Sequence, residues 1–136
     1  MDAQKVATVY ALLVDEAALF TNTEFLRGEV FTWMLDNSAL LQSEESTRSA
    51  ALALERIADL RREVEGAFNL AIIAVAQEKY NMDALNARRE NARRIIREIE
   101  EAFENLRKLN PERMIGIPEG IRKALEGMNL DPEQSA

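Results

Sequence analysis

Histidine and cysteine are both missing from this chain of 136 residues. Their absence removes disulfide staples, imidazole and thiolate metal ligands, the commonest general base and the most reactive nucleophile. Catalysis would have to run on carboxylates, Lys, Tyr, Ser and Thr, and none of these stands in a nucleotide, metal or nucleophile motif. The expectation is a protein that is not an enzyme, with no cofactor and no metal. Carboxylates at helical spacing, such as Glu100, Glu101 and Glu104, read as a solvated face, and four-helix diiron sites need Glu-x-x-His pairs that this chain cannot form.

Long hydrophobic runs are also absent. The longest, residues 67–76, is far short of the roughly 20 residues that cross a bilayer, and the N-terminus lacks a basic region followed by an apolar core, so neither a membrane span nor a secretory signal is expected. Positive charge is in deficit. A net charge of −7 disfavours sequence-independent binding to nucleic acid or to anionic lipid. The deficit is uneven: residues 1–55 carry nine acidic and three basic side chains, whereas residues 56–110 carry ten acidic and eleven basic. A cysteine-free acidic chain fits a cytoplasmic or virion-associated protein.

Only three prolines and five glycines interrupt the chain. Residues 46–110 contain no proline and one glycine, Gly66, in a composition of Ala, Leu, Ile, Glu and Arg that favours helix. What is present is helical periodicity. Val6, Val9, Tyr10, Leu13, Ala17 and Phe20 define one face of a first helix. The cluster Thr21-Asn22-Thr23-Glu24 suggests a tight turn with side-chain caps, a bent continuous helix being the alternative. Phe25, Leu26, Val30, Phe31, Trp33, Met34 and Leu35 predict a second helix, deeply packed.

Ser43-Glu44-Glu45-Ser46 reads as the next helix start, with Ser46 the expected cap. From there Leu54, Ile57, Leu60 or Arg61, Val64, Phe68, Ala71, Ile72 and Val75 trace a stripe that widens until 67–76 is apolar nearly all round, which predicts burial on every side. The break at 77–83 admits a hairpin between helices of about 32 and 27 residues, near 48 and 40 Å. A single rod of about 64 residues is the alternative. Leu85, Ala92, Ile95, Ile96, Ile99, Phe103, Leu106 and Leu109 mark the following helix, which Asn110-Pro111 ends. Pro118 opens a last short helix with Ile121, Leu125 and Met128 on a docking face.

Two constellations invite a function. Arg89, Arg93, Arg94 and Arg97 line a helix flank where they can contact anions or nucleic acid, although Glu90, Glu98 and Glu101 stand at pairing distance. Arg88 projects along the line of Ile95, Ile99 and Leu106, so a charge on the apolar seam is expected to fix pairing within the chain or across an oligomer interface, an arginine near the helix end that snorkels to solvent being the equal alternative. Phe31, Trp33, Phe68, Ile72, Arg88, Ile121 and Leu125 are the candidate partner-interface residues.

Leu60-Arg61-Arg62-Glu63-Val64 is superficially similar to the first helix of the all-helical chorismate mutases, but Phe68 replaces an expected acid and the family's second arginine has no counterpart. Residues 74–97, with Tyr80-Asn81-Met82-Asp83-Ala84-Leu85-Asn86-Ala87-Arg88-Arg89, look similar to helical segments of internal or ejection proteins of tailed-phage virions. That likeness implies a virion or assembly component. The reading is an all-α antiparallel bundle of about four helices, two of them long and inside 46–110, plus a short C-terminal helix. It forms one domain, 1–128, with a polar tail, 129–136. The expected function is non-catalytic: an assembly subunit, adaptor or inhibitor that contacts a protein partner or itself as a homo-oligomer, with a nucleic-acid-associated factor as the alternative.

Overall fold

The computed structural model describes residues 3–77 and 82–128. Three long helices, α1 (Ala3–Asp36), α2 (Glu44–Gln77) and α3 (Met82–Leu109), pack side by side, and a short α4 (Glu119–Glu126) lies on α1. The all-α antiparallel bundle expected from the sequence is what forms. Arg56 of α2 reaches Glu98 of α3, and Ser46 at the start of α2 meets Asn110 just past the end of α3, so these helices fold back on each other instead of forming a rod. The residues between them, 78–81, on which the expected turn falls, lie outside the described residues, as does the expected tail 129–136. α1 runs antiparallel to α2, with Phe20 against Phe68 and Glu24 against Arg61, and parallel to α3, with Trp33 against Phe103.

The first two expected helices are one. No turn forms at 21–24, because the Thr21 and Thr23 hydroxyls donate back to the carbonyls of Ala17 and Leu19, at 3.1 and 2.8 Å, instead of capping a new start. The chain then turns through a 3-10 segment, Ser38–Leu41, with Leu40 buried in the corner. Ser43, not Ser46, caps α2: its Oγ accepts the Ser46 backbone N–H at 3.1 Å, and Glu44 and Glu45 occupy the first turn, where the helix dipole favours acids. At the same end of the fold Asn110 closes α3 by donating from Nδ2 to the Leu106 carbonyl and to Ser46 Oγ, with Arg107 and Lys108 in the last turn.

The core follows a repeat of seven, not the straight-helix angle. Buried positions in α2 are Ser46, Ala50, Ala53, Ile57, Leu60, Val64, Ala67, Ala71 and Ala74, alternating steps of three and four without exception. Leu85, Arg89, Ala92, Ile96, Ile99, Phe103 and Leu106 do the same in α3, and Leu12, Glu16, Leu19, Thr23, Leu26 and Val30 in α1. This is the a/d pattern of left-handed supercoiled bundles. It corrects three expectations. The buried face of α1 is not the line through Tyr10, Leu13 and Ala17; Phe25, Phe31 and Leu35 are exposed; and 67–76 is not buried all round, since its inward residues are alanines while Ile72 and Ile73 face outward.

α4 runs antiparallel to the 22–30 stretch of α1. Ile121, Ala124, Leu125 and the following Met128 join the main core cluster, while Asn22 Nδ2 donates to the Gly127 carbonyl at 3.3 Å. Its docking face is therefore consumed within the chain. The core is interrupted once by charge, where Glu16 and Arg89 occupy facing a positions of α1 and α3. They separate the large cluster that begins at Leu19 and Ala92 from a small one built on Leu12, Ala67 and Leu85.

Glu16 is fully buried and Arg89 nearly so; Arg89 Nη2 and Nε donate to Glu16 Oε1 at 2.7 and 3.1 Å. Removing one member leaves the other charge buried and unpaired, a penalty of about 3–5 kcal/mol, whereas replacing both with well-packed apolar side chains can be neutral. Arg89→Leu is therefore expected to lower unfolding stability by that amount in urea titration, and Glu16→Leu with Arg89→Leu to recover most of it. A single substitution that costs less than about 1 kcal/mol contradicts the paired, desolvated geometry.

Candidate functional site

The residues expected to form an interface divide sharply by location. Ile121 and Leu125 are buried against α1 and are not available to a partner. Trp33 is half-buried with its ring edge-on to Phe103, centroids 5.7 Å apart, and Phe68 is half-buried beside Phe20 at 6.5 Å. Phe31 is exposed with the Arg27 guanidinium over its face at 5.3 Å, and Ile72 is exposed on α2. Arg88 does not occupy the seam. Its guanidinium is partly exposed, lies over Gly66 and approaches Glu63 at 3.4 Å.

The seam residue is Arg89, one position further on. Projection at 100° per residue drifts from a seven-residue repeat by about 20° per heptad, which is enough to bring Arg88 onto the apparent stripe and move Arg89 off it. The arginine flank is split as a result. Arg89 is turned into the core, Arg93 is bound to Glu90, Arg94 lies 3.7 Å from Glu98, and Arg97 stays exposed with no ion pair among the described residues. Sequence spacing placed Arg89 and Arg93 on one surface; the structure does not.

Two open grooves are lined by further arginines. One, about 250 Å³, runs between α1 and α2 over Phe31, Leu54 and Ile57 with Arg27, Arg61 and Arg62 at its rim. Its guanidinium groups are already engaged: Arg61 lies 2.6 Å and Arg27 3.6 Å from Glu24, and Arg62 pairs with Asp59. The other groove lies between α2 and α3, where Arg56 sits 2.8 Å from Asp59 and 2.7 Å from Glu98. Hydrogen bonding from Arg62, aided by Arg56, holds the Asp59 carboxyl below the usual carboxylate range against a smaller opposing effect of burial. Because the folded value is the lower one, this contribution to stability is present at neutral pH and fades as pH falls through it; partial exposure keeps it small. Among the described residues no cluster is placed to hold a metal ion.

The most distinctive surface is the outward side of α1. Opposite the buried seam, the positions Ala7, Ala11, Val14, Ala18, Thr21, Phe25, Gly28, Thr32 and Leu35 repeat the same three-and-four spacing, and every one of them is exposed and uncharged. The corresponding outward positions of α2 include Arg48, Glu55 and Arg62, and those of α3 include Arg94, Glu98 and Glu101. Only α1 among the long helices presents a neutral outer face. Leu35 is 78% exposed, Val14 64% and Phe25 56%, with Tyr10 at 57% beside them. From Ala11 to Leu35 the stripe is about 36 Å long. Its flanks hold Asp15, Glu29 and Asp36 on one side and Glu24 on the other; the first three make no ion pair among the described residues.

These features define an all-α antiparallel bundle with one helix apolar on two sides. Comparison of the chain with protein-family models, curated proteins and solved structures finds no match. Among the described residues no helix is long and apolar enough to cross a membrane.

Gly66 gives a direct test of the Arg88 geometry. A Cβ at this position would overlap the Arg88 guanidinium, which is the far end of a flexible side chain in an exposed and weak pair. Gly66→Ala is expected to displace Arg88 and raise stability by about 0.5–1 kcal/mol through the helix preference of alanine. A loss of stability in thermal unfolding contradicts a mobile Arg88.

Proposed function

We propose that this protein is a non-catalytic interaction or structural protein, an adaptor, inhibitor or assembly subunit, that works by presenting the outer face of α1 to another protein surface. The observation that carries this reading is that face: a neutral, regularly spaced stripe on the solvent side of a helix whose inner side is already packed. Large apolar side chains lose favourable burial when left in water, at roughly 25 cal/mol per Å² of apolar surface. An exposed apolar stripe therefore favours a covering surface. Paired guanidiniums in both grooves, and the inward Arg89, weigh against anion or nucleic-acid binding as the main activity. The chain's negative charge weighs against it in the same direction.

The test is a comparison of the native chain with Val14→Glu, Phe25→Glu, Leu35→Glu combined. Because all three side chains are exposed, each change is expected to move stability by no more than about 0.5 kcal/mol. Sedimentation and quantitative affinity capture are expected to show a self-complex or a specific partner with the native chain and its loss with the variant. A complex retained equally by both, or a native chain that is monomeric and captures nothing the variant does not, contradicts the reading. A labelled oligonucleotide is expected not to be retained at low salt; retention lost on Arg93→Glu, Arg97→Glu would favour the nucleic-acid alternative.

A further inference from the structure

The outer face of α1 has a chemistry that restricts its occupant. Large side chains at Val14, Phe25 and Leu35 alternate with small ones, Gly28 among them, so the face offers both knobs and holes at the spacing of a helix lying along it. About seven turns of helix are available. The open positions on the edges of this stripe are acidic: Asp15 and Asp36 stand three heptads apart on one edge, whose middle is covered by α4 with the Glu29 carboxylate against Gly120, and Glu24 stands on the other. Glu24 is matched by Arg61 and Arg27, but the opposite edge has no cationic partner among the described residues.

A second copy of the chain meets this edge poorly. In antiparallel self-pairing through the stripe the unmatched edge faces itself, setting Asp15 near the other copy's Asp36, and like charges across a helix interface act against association. The outer face of α3 offers no alternative match, because Arg94, Glu98, Glu101 and Lys108 put charges along it.

Resting on the reading of α1 as an interaction surface, the geometry points to a partner of defined chemistry. It is an amphipathic helix of another protein whose apolar seam enters the α1 stripe and whose flanking positions are lysine or arginine, set against Asp15 and Asp36. Seam burial supplies most of the affinity. The basic flank selects orientation and partner.

Two synthetic helices of about 28 residues, identical in a leucine seam of three-and-four spacing but flanked by lysine in one and glutamate in the other, are titrated into the full chain at physiological salt. The lysine-flanked helix is expected to bind at least about tenfold more tightly. That binding is expected to be lost in Phe25→Ser, Leu35→Ser, and to weaken severalfold in Asp15→Asn, Asp36→Asn while the seam stays intact. Equal binding of the two probes, no binding of either, or undiminished binding of the lysine probe by Phe25→Ser, Leu35→Ser overturns the proposal. So does a native chain that sediments as a dimer and becomes monomeric in Phe25→Ser, Leu35→Ser, because the occupant is then a second copy. That last outcome leaves the interaction reading of α1 standing, whereas a face that captures nothing removes both.

Discussion

The buried ion pair between Glu16 and Arg89 is the constraint from which the arrangement of this bundle follows. Apolar seams alone tolerate sliding, since alanine, leucine and isoleucine layers can exchange places with modest loss. A charged layer cannot slide, because moving α1 against α3 by one layer would leave a carboxylate and a guanidinium buried apart. The pair therefore fixes which side of α1 faces inward. It also divides the core unequally. Beyond it the bundle rests on Leu12, Ala67, Leu85 and the half-buried Leu70. The other side holds Phe103, Leu26, Ile57, Leu60, Ile99 and the docked α4. A small cluster behind a polar layer is the end that opens first when the helices fray.

Once the inward side of α1 is fixed, its outward side is fixed as well. This helix has a heptad of apolar and small residues on both surfaces, and the chain has one set of partners for them. α2 and α3 cover one face and α4 lies along an edge, leaving Val14, Phe25 and Leu35 in solvent. The alanines of the α2 seam serve the same economy. Ala67, Ala71 and Ala74 fill the narrow interior at the weaker end. Gly66 accommodates the Arg88 side chain beside them.

Much of the fold was legible in the sequence, and the reasons for the failures are physical. The scarcity of proline and glycine predicted long helices, Asn110-Pro111 placed the end of α3, and Ile121 with Leu125 marked the docking side of α4. Thr21 to Glu24 misled because threonine hydroxyls serve equally well as caps and as donors to the carbonyl four residues back. Leu26, Val30 and Met34 are buried as expected, but the inner face of the first half of α1 escapes a search for apolar positions because it contains Glu16 and Thr23, while Tyr10 and Phe25 draw attention to the wrong side. A straight-helix projection favours Arg88 over Arg89 because it drifts against a seven-residue repeat. Counting in sevens back from Phe103 through Ile96 puts Arg89 on the seam, and counting from Ala7 exposes the uncharged stripe.

The orientation of α1 is therefore the central claim, and the lack of native cysteine makes it directly measurable. Single cysteines placed in turn along residues 11–35 report side-chain exposure through the rate of thiol modification under native conditions. The account predicts slow modification at 12, 16, 19, 23, 26 and 30, and rates near those of an unfolded peptide at 14, 18, 21, 25, 28 and 35. Protection centred on 13, 17 and 20 with free reaction at 12, 16 and 19 would contradict it. That result would mean that Glu16 does not face Arg89 and that the stripe assigned to the outside is part of the core.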